Sequence, residues 1–536
     1  MFKWVTKKFN KLKQQQKTIE NKLTETIVED KQISKNLMAN KQIFKQIFDR
    51  CGEIWFREFE LGTNPPIKMM AFGLDGMLLT DQVNENVLKP LMTIEGMINE
   101  LKPNNVMDMV KNKLIPVGEI KTSRQVSKIS DGVLAADLAL LIDGCDNAIL
   151  LGVKGCEKRA MSEPETEPTV RGPRDGFIEN ILTNVTTVRR RIRSSRLKSE
   201  YLEVGLLSKT EVAIVYIEGI ADNKVVQEVK DRIRRIDTDM ILESGNIEEF
   251  IKDDWVSPFP QILSTERPDR VSAHLVEGHV AVFVDNTPFV LIMPVTFFHF
   301  LQSSEDYYSG FAIGTAIRLL RSFAVIIALL GPSLYIAITT FHQAMIPTTL
   351  LFSIAKAREG VPFPAMLEAF IMEVTFELLR EAGVRLPRQV GQAVSIVGAL
   401  VIGDAAVSAG LVSPSMVIVV AITAISSFAM PSYPGAIVLR LLRFVFMFLA
   451  GTLGLFGITL GLMGLFIHLC SLRSFGVPYI SPIMPLTLKD WKDFIIRLPI
   501  WAMNTRPKLI GYKNYKRMGY DQAPQRPKQR ETRGED

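Results

Sequence analysis

Three glutamates spaced four apart, Glu373, Glu377 and Glu381, fall on one face of a helix expected over residues 364–382, whose other positions are largely apolar. Repeated around a ring of subunits, such a row would attract cations. On a single interfacial helix it would keep one face wet, with Arg380, Arg385 and Arg388 as counter-charges. Asp404 stands in an apolar, small-residue stretch, residues 398–407, where a carboxylate is expensive to bury. It is a candidate for an ion path or a conformational switch, or else the cap of a helix beginning at Ala405. Gly451, Gly454, Gly457, Gly461 and Gly464 share an arc of roughly 140° on one apolar helix. Either another helix packs closely on that bare backbone or the face lines a narrow path.

Covalent, redox and nucleotide chemistry has no readable motif. GxGxxG, GxxxxGK[ST], HExxH and GxSxG are all missing from the sequence, so neither an enzyme nor a cofactor is expected. Cys51, Cys145, Cys156 and Cys470 have neither metal-ligand spacing nor the density of a disulfide framework, which fits a reducing compartment. His274 and His279 bracket Glu277 at a spacing that does not put both rings on one helix face, and they read as structural. The basic run of Arg189, Arg190, Arg191, Arg193, Arg196 and Lys198 lacks interleaved aromatics. It reads as a solvated or membrane-facing helix surface, with no nucleic-acid partner.

The elements that must position these residues divide the 536-residue chain in two. Its length exceeds what one core supports. Charged residues recur every few positions up to about Glu266, whereas residues 280–470 carry long stretches with few or none, so a fully soluble protein is excluded. The net charge of +6 comes mostly from the ends and suits contact with anionic lipid headgroups.

Residues 1–40 form a basic segment, helical or disordered, with a heptad-like stripe of Ile19, Leu23, Ile27, Ile33 and Leu37. A first α/β subdomain is expected over 41–160, with strands at 67–72 and 77–79, a helix at 85–101 and a hairpin of 138–142 with 148–153. Proline, glutamate and glycine mark 161–176 as a linker. A second α/β subdomain follows over 177–285, with a helix at 177–197, a strand at 211–217 and a helix at 222–236. With no apolar leader ahead of it, this half is expected in the cytoplasm.

Residues 286–470 read as a polytopic helical membrane domain with apolar stretches at 289–301, 323–341, 344–355, 390–411, 415–430 and 444–469. The basic tail, 471–536, is expected on the cytoplasmic side. The fold class is thus a two-part cytoplasmic α/β domain followed by a helical membrane domain. Without a second copy of any membrane segment, a secondary transporter is the weaker alternative. A membrane-anchored signalling scaffold or enzyme would need chemistry in the α/β half, where none is legible.

A chain of separate stretches carries a family resemblance. They are Glu163-Pro-Glu-Thr-Glu-Pro-Thr-Val-Arg-Gly-Pro-Arg-Asp-Gly-Phe177, Glu266-Arg-Pro-Asp-Arg-Val271, Asp285-Asn-Thr-Pro-Phe289, Glu305-Asp-Tyr-Tyr308, Pro332-Ser-Leu-Tyr335 and the segment from Phe376 to Pro387. In this order they resemble the A subunits of spore germination nutrient receptors, the GerA family, from about Ile43 to about Lys508. The resemblance implies a non-enzymatic subunit in the inner membrane of the endospore, acting beside a transporter-like B subunit and a lipoprotein C subunit. It further implies a homo-oligomer, with a pentamer as the expected number, that opens a path for monovalent cations when nutrient is sensed.

Overall fold

The structure is a computed structural model that describes residues 31–61, 66–93, 103–155, 163–386, 401–519 and 522–524. Ile19, Leu23 and Ile27 of the heptad-like stripe, together with Cys156 and Arg388, lie outside the described residues. Two five-stranded sheets share one strand order. The first runs β1 (Ile54–Leu61), β2 (Ile67–Leu74), β4 (Leu138–Ile142), β5 (Ala148–Leu151), β3 (Ile120–Ser123). The second runs β6 (Leu197–Val204), β7 (Thr210–Ile217), β9 (Val280–Val284), β10 (Val290–Met293), β8 (Leu263–Thr265). Each sheet is preceded by a helix, Leu37–Ile47 or Ile181–Arg191, and each carries a helix after its third strand, Val126–Leu134 or Pro268–Glu277. The α/β half is therefore one topology used twice, and every ladder in both sheets is antiparallel.

Period-two alternation explains the burial. In β4, Leu138, Leu140 and Ile142 join the core on one face, while Ala139 and Leu141 join the core on the other. Both faces of the second sheet are covered in the same way, with Val215 and Phe283 on one side and Ile214 and Val282 on the other. The helix Asn223–Arg234 is capped by Asp222, whose carboxylate accepts from the Lys224 amide.

Several sequence expectations shift. Among the described residues, 31–40 already belong to the first unit, ahead of the expected boundary at 41, because Gln32 bridges Gln125 and Ile33 and Leu37 are buried. Residues 77–79 form no strand, only a bridge of Leu78 with Lys154. The helix expected to reach Leu197 stops at Arg191, and β6 begins where it should have ended. The basic run is only partly an exposed surface: Arg190, Arg191 and Arg193 are exposed, but Arg189 is fully buried and Lys198 nearly so. Arg189 Nε donates to Glu53 Oε1 at 2.7 Å, and its Nη1 donates to the Leu197 carbonyl at 2.9 Å. A buried ion pair thus bolts the first unit to the second, beside a bridge of Cys51 with Ser199. Residues 289–301 are not a span, being β10 followed by a 3-10 turn, Phe297–Phe300.

The helical region starts with Phe311–Thr340 and continues through Thr348–Arg358, Ala365–Arg385, a segment helical over 401–408, Pro414–Ser427 and Tyr433–Ser471. The last of these is broken at Gly454, with φ 63° and ψ −142°. A Cβ on Gly461 would lie 2.8 Å from the Phe446 ring, although a straight helix would hold residues 446 and 461 roughly 22 Å apart. The segment therefore reverses at Gly454 into two arms, 433–453 and 455–471. The tip of this hairpin touches Phe341 and His342 at the far end of the first helix, and its near end, at Gly435, approaches Phe300. After the second arm the chain returns to the second soluble unit, where Leu472, Tyr479 and Ile480 enter the core with Phe259 and Phe283. Residues 472–519 are accordingly a docked part of that unit rather than a free tail.

Candidate functional site

The family-like stretches converge where the soluble half meets the helices. Glu266 Oε2 accepts from the backbone amides of Glu165 and Thr166 at 2.9 and 3.3 Å. Arg267, 2% exposed, donates to the carbonyls of Glu167 and Pro173 at 3.0 Å each and to the Asp269 carboxylate. The proline-rich linker is thereby pinned to the second unit. Arg270 pairs with Glu167 and also donates to the His299 carbonyl at 3.0 Å, while Tyr308 donates its hydroxyl to Asp269.

One step further in lies Asp306, 2% exposed. Its Oδ2 accepts from Arg318 Nε at 3.1 Å and Arg321 Nη1 at 2.9 Å, and its Oδ1 from Arg321 Nη2 at 3.1 Å. Arg318 Nη1 continues to Asp493 Oδ1 at 2.7 Å, and Tyr307 donates to Asp493 Oδ2 at 2.8 Å. Arg497 donates to the carbonyls of Asp306 and Ser309 at 2.5 and 2.8 Å. Burial holds the Asp493 carboxyl above the usual carboxylate range, against the pull of Arg318. The network links the turn before the first apolar helix, the helix itself and the docked C-terminal segment. Beside it, a cavity of about 80 Å³ is lined by Glu277, His299, Gln302, Asp490 and Asp493. His299 of that lining also meets His274 and His279, the two histidines that sequence spacing alone had left as structural.

The acidic row is paired within the chain. Glu373, 1% exposed, pairs with Arg443; Glu377 pairs with Arg440 at 3.0 Å and with Arg380 at 3.3 Å; and Glu381 pairs with Arg385 on the surface. Arg440 and Arg443 lie on the first arm of the hairpin, and sequence reasoning missed them because it began that span at Phe444. Their signal was present: two arginines three residues apart at the head of an apolar helix need inward partners. Glu368, fully buried, was missed as well; it accepts from the Ser413 amide and hydroxyl at 2.9 and 2.8 Å and pairs with Arg358. It thereby caps Pro414–Ser427 from a neighbouring helix.

Asp404 falls inside the segment helical over 401–408, which removes the expected cap at Ala405, and its side chain is exposed on the outside of the chain. The glycines separate by role. A Cβ on Gly451 would meet the Met366 sulfur at 2.2 Å, one on Gly457 would meet the Leu449 carbonyl oxygen at 2.2 Å, and one on Gly464 would meet nothing within 4 Å. Close packing inside the chain thus occupies Gly451, Gly457 and Gly461, while Gly454 makes the reversal.

The family model described as Bacillus/Clostridium GerA spore germination protein matches residues 42–509. Spore germination protein KA of Bacillus subtilis (strain 168) is 45% identical over 493 residues, covering 92% of this chain and 90% of its own. The uncharacterized membrane protein YfkQ of the same organism is 44% identical, covering 89% of this chain and 92% of its own. The crystal structure of the N-terminal domain of the A subunit of the Bacillus megaterium spore germinant receptor GerK3 is 30% identical, with a TM-score of 0.40, over 50% of this chain and 97% of that one. A family match over residues 42–509, with 45% identity to a relative over 92% of the chain, means that the chain belongs to the GerA family of spore germination proteins.

Proposed function

We propose that this chain is a multi-pass subunit of a germinant receptor in the inner membrane of the endospore, with its paired soluble units and docked C-terminal segment in the cytoplasm. It works beside a transporter-like B subunit and a lipoprotein C subunit. Copies of it assemble, as a pentamer in this reading, around a path for monovalent cations that opens when nutrient is sensed.

The observation that carries the membrane reading is inverted polarity. Large apolar side chains face outward on the helices: Leu320 is 67% exposed, Ile425 71%, Phe428 72% and Phe456 64%. The charged Arg318, Glu368, Glu373 and Arg443 point inward. Water would punish that arrangement and hydrocarbon rewards it. Contacts at the two ends support six alternating passes, through Phe311–Thr340, Ala365–Arg385, the segment that includes 401–408, Pro414–Ser427 and the two arms of Tyr433–Ser471. The short Thr348–Arg358 turns at the far end. Glu368 meets Ser413 at the end away from the soluble units, and Arg380 meets Ser427 at the end near them. An even number returns the chain to its starting side, where residues 472–519 dock.

Labelling tests the topology. In a Cys470→Ser background, single cysteines at Leu207 and Lys516, both exposed, are expected to resist an impermeant thiol reagent added outside intact cells. A cysteine at Met345, 65% exposed beyond the first helix, is expected to react. Labelling at Leu207 or Lys516, or its lack at Met345, overturns the assignment.

Asp404 supports the path between subunits. An outward carboxylate on an apolar helix does not face lipid, so it faces a neighbouring copy or a wet channel. Glu373 and Glu377, already neutralised by Arg443 and Arg440, hold the bundle in one arrangement and suit a gating role better than an open acidic ring. Asp404→Asn is expected to lower potassium release per assembled receptor by roughly tenfold, whereas Glu381→Gln, whose pair lies on the surface, changes it little. Unchanged release in Asp404→Asn removes that residue from the path.

A further inference from the structure

His274 closes the helix Pro268–Glu277, His279 leads into β9 and His299 lies in the 3-10 turn Phe297–Phe300, so three separate elements deliver three imidazoles to one point. Ring centroids are 4.9 Å apart for His274 and His279, 5.3 Å for His279 and His299 and 5.4 Å for His274 and His299. One nitrogen from each ring lies within 4.8 Å of the other two.

Backbone partners fix two of the tautomers. His274 Nδ1 is 2.8 Å from the Arg270 carbonyl and His279 Nδ1 is 2.7 Å from the Pro294 carbonyl. A carbonyl only accepts, so each Nδ1 carries the proton and each Nε2 presents a lone pair. This is the outer-shell arrangement that metal-ligating histidines use. His299 Nδ1 lies 3.0 Å from the Thr296 amide and 2.9 Å from its hydroxyl. The Thr296 amide donates to that Nδ1, which puts the proton of the neutral ring on Nε2. Ligation through Nε2 therefore requires the proton to move to Nδ1, facing the Thr296 hydroxyl, with the amide contact given up.

The second observation is an orphan. His279 is 0% exposed and its Nε2 has no hydrogen-bond partner. A buried acceptor left unpaired bears its whole desolvation cost, and such groups call for an explanation. Burial, reinforced by the neighbouring rings and by Arg270, lowers the His274 pKa to about 3 and that of His299 to about 4, and holds His279 well below its usual value. The positive charge of Arg270 is met by Glu167.

We infer that His274, His279 and His299 form a binding site for one divalent transition-metal ion of the zinc class, which ties the second soluble unit to the turn leading into the apolar helices. Imidazole donors suit zinc, cobalt, nickel or copper rather than magnesium or calcium. Zinc–nitrogen bonds of about 2.0–2.1 Å in a tetrahedral set place ligand atoms roughly 3.3 Å apart, so loading draws the rings together. A cavity of about 80 Å³ borders His299 on the side of Thr296, Gln302 and Glu277. The site adds a structural tie to the junction and does not depend on the channel reading.

The test uses the full chain in detergent with a tag free of histidine, in a Cys470→Ser background, stripped by chelator and titrated with Co²⁺ alone. The expected result is one Co²⁺ per chain after dialysis, with the intense visible d–d bands of a tetrahedral or five-coordinate nitrogen site. His274→Gln and His279→Gln are expected to weaken binding at least ~10-fold, while His342→Gln, outside the cluster, leaves it unchanged. Should His279→Gln fail to fold, the stoichiometry and spectrum of the unsubstituted chain decide alone. No retained cobalt, a purely octahedral spectrum, or undiminished binding in a folded His274→Gln overturns the site.

Discussion

Asp306→Ala is expected to abolish nutrient-triggered potassium release and to deplete the protein from membranes. Asp306 is the shared counter-charge of Arg318, 3% exposed, and Arg321, 9% exposed. Removing it leaves two buried guanidiniums facing each other, and Arg318 keeps only Asp493. Breaking a buried pair from one side costs about 3–5 kcal/mol, a large fraction of what holds a domain together. The carbonyls that Arg497 and Arg321 hold at Asp306 and Leu301 would lose their register too. Asp306→Asn should fall between wild type and Ala, because the amide keeps the shape and one acceptor but supplies no charge. Adding Arg321→Met to Asp306→Ala should recover part of the abundance, since one of the two stranded charges is then gone. Release per assembled protein and abundance by immunoblot separate coupling from folding. Normal values of both in Asp306→Ala would mean that the junction network neither holds nor transmits anything.

Apolar runs and their punctuation made part of this fold legible. The runs 138–142 and 148–153, separated by Asp143-Gly144-Cys145-Asp146-Asn147, announce a hairpin and form one, because every residue of both strands is buried. The strand at Thr210–Ile217 and the helix after Asp222 follow for the same reason. What stayed hidden depends on neighbours distant in sequence. β6 begins Leu197-Lys198-Ser199, polar residues that are buried because the first unit covers them. The run 289–301 has the hydropathy of a span, yet β9 and β8 claim its first residues as a central strand. Local sequence cannot separate a strand buried on both faces from a segment buried in lipid. The acidic row was visible with its local counter-charges Arg380 and Arg385, but Arg440 and Arg443 lie 63 and 70 residues from Glu377 and Glu373 on another helix. His274 and His279 failed the test of sharing one helix face, and His299 was not considered beside them, because the three come from separate elements that only the tertiary fold brings together.

Gly454→Ala is the substitution expected to be worst tolerated among the helical glycines. A straight helix over Tyr433–Ser471, 39 residues, would extend roughly 58 Å, about twice the hydrocarbon thickness it would have to cross. Reversal at Gly454 turns that excess into two passes, and the docked segment after Ser471 can reach the soluble unit only because of it. The backbone there, φ 63° and ψ −142°, lies in a region open essentially to glycine, and forcing another residue into it costs on the order of 3 kcal/mol. The added methyl would also stand 3.0 Å from Phe341 and His342, the residues that close the first apolar helix. A graded series follows from the same geometry. Gly457→Ala should be nearly as damaging, since its Cβ meets a backbone carbonyl that cannot swing away, whereas Gly461→Ala meets the Phe446 ring, which can turn. Gly464→Ala should be neutral or slightly stabilising, because its Cβ enters open space and alanine favours the helix. The readouts are membrane abundance and the thermal midpoint of the detergent-solubilised chain. Wild-type values for Gly454→Ala would mean that the chain does not reverse at that residue, and the even number of passes, with both soluble ends on one side, would fall with it.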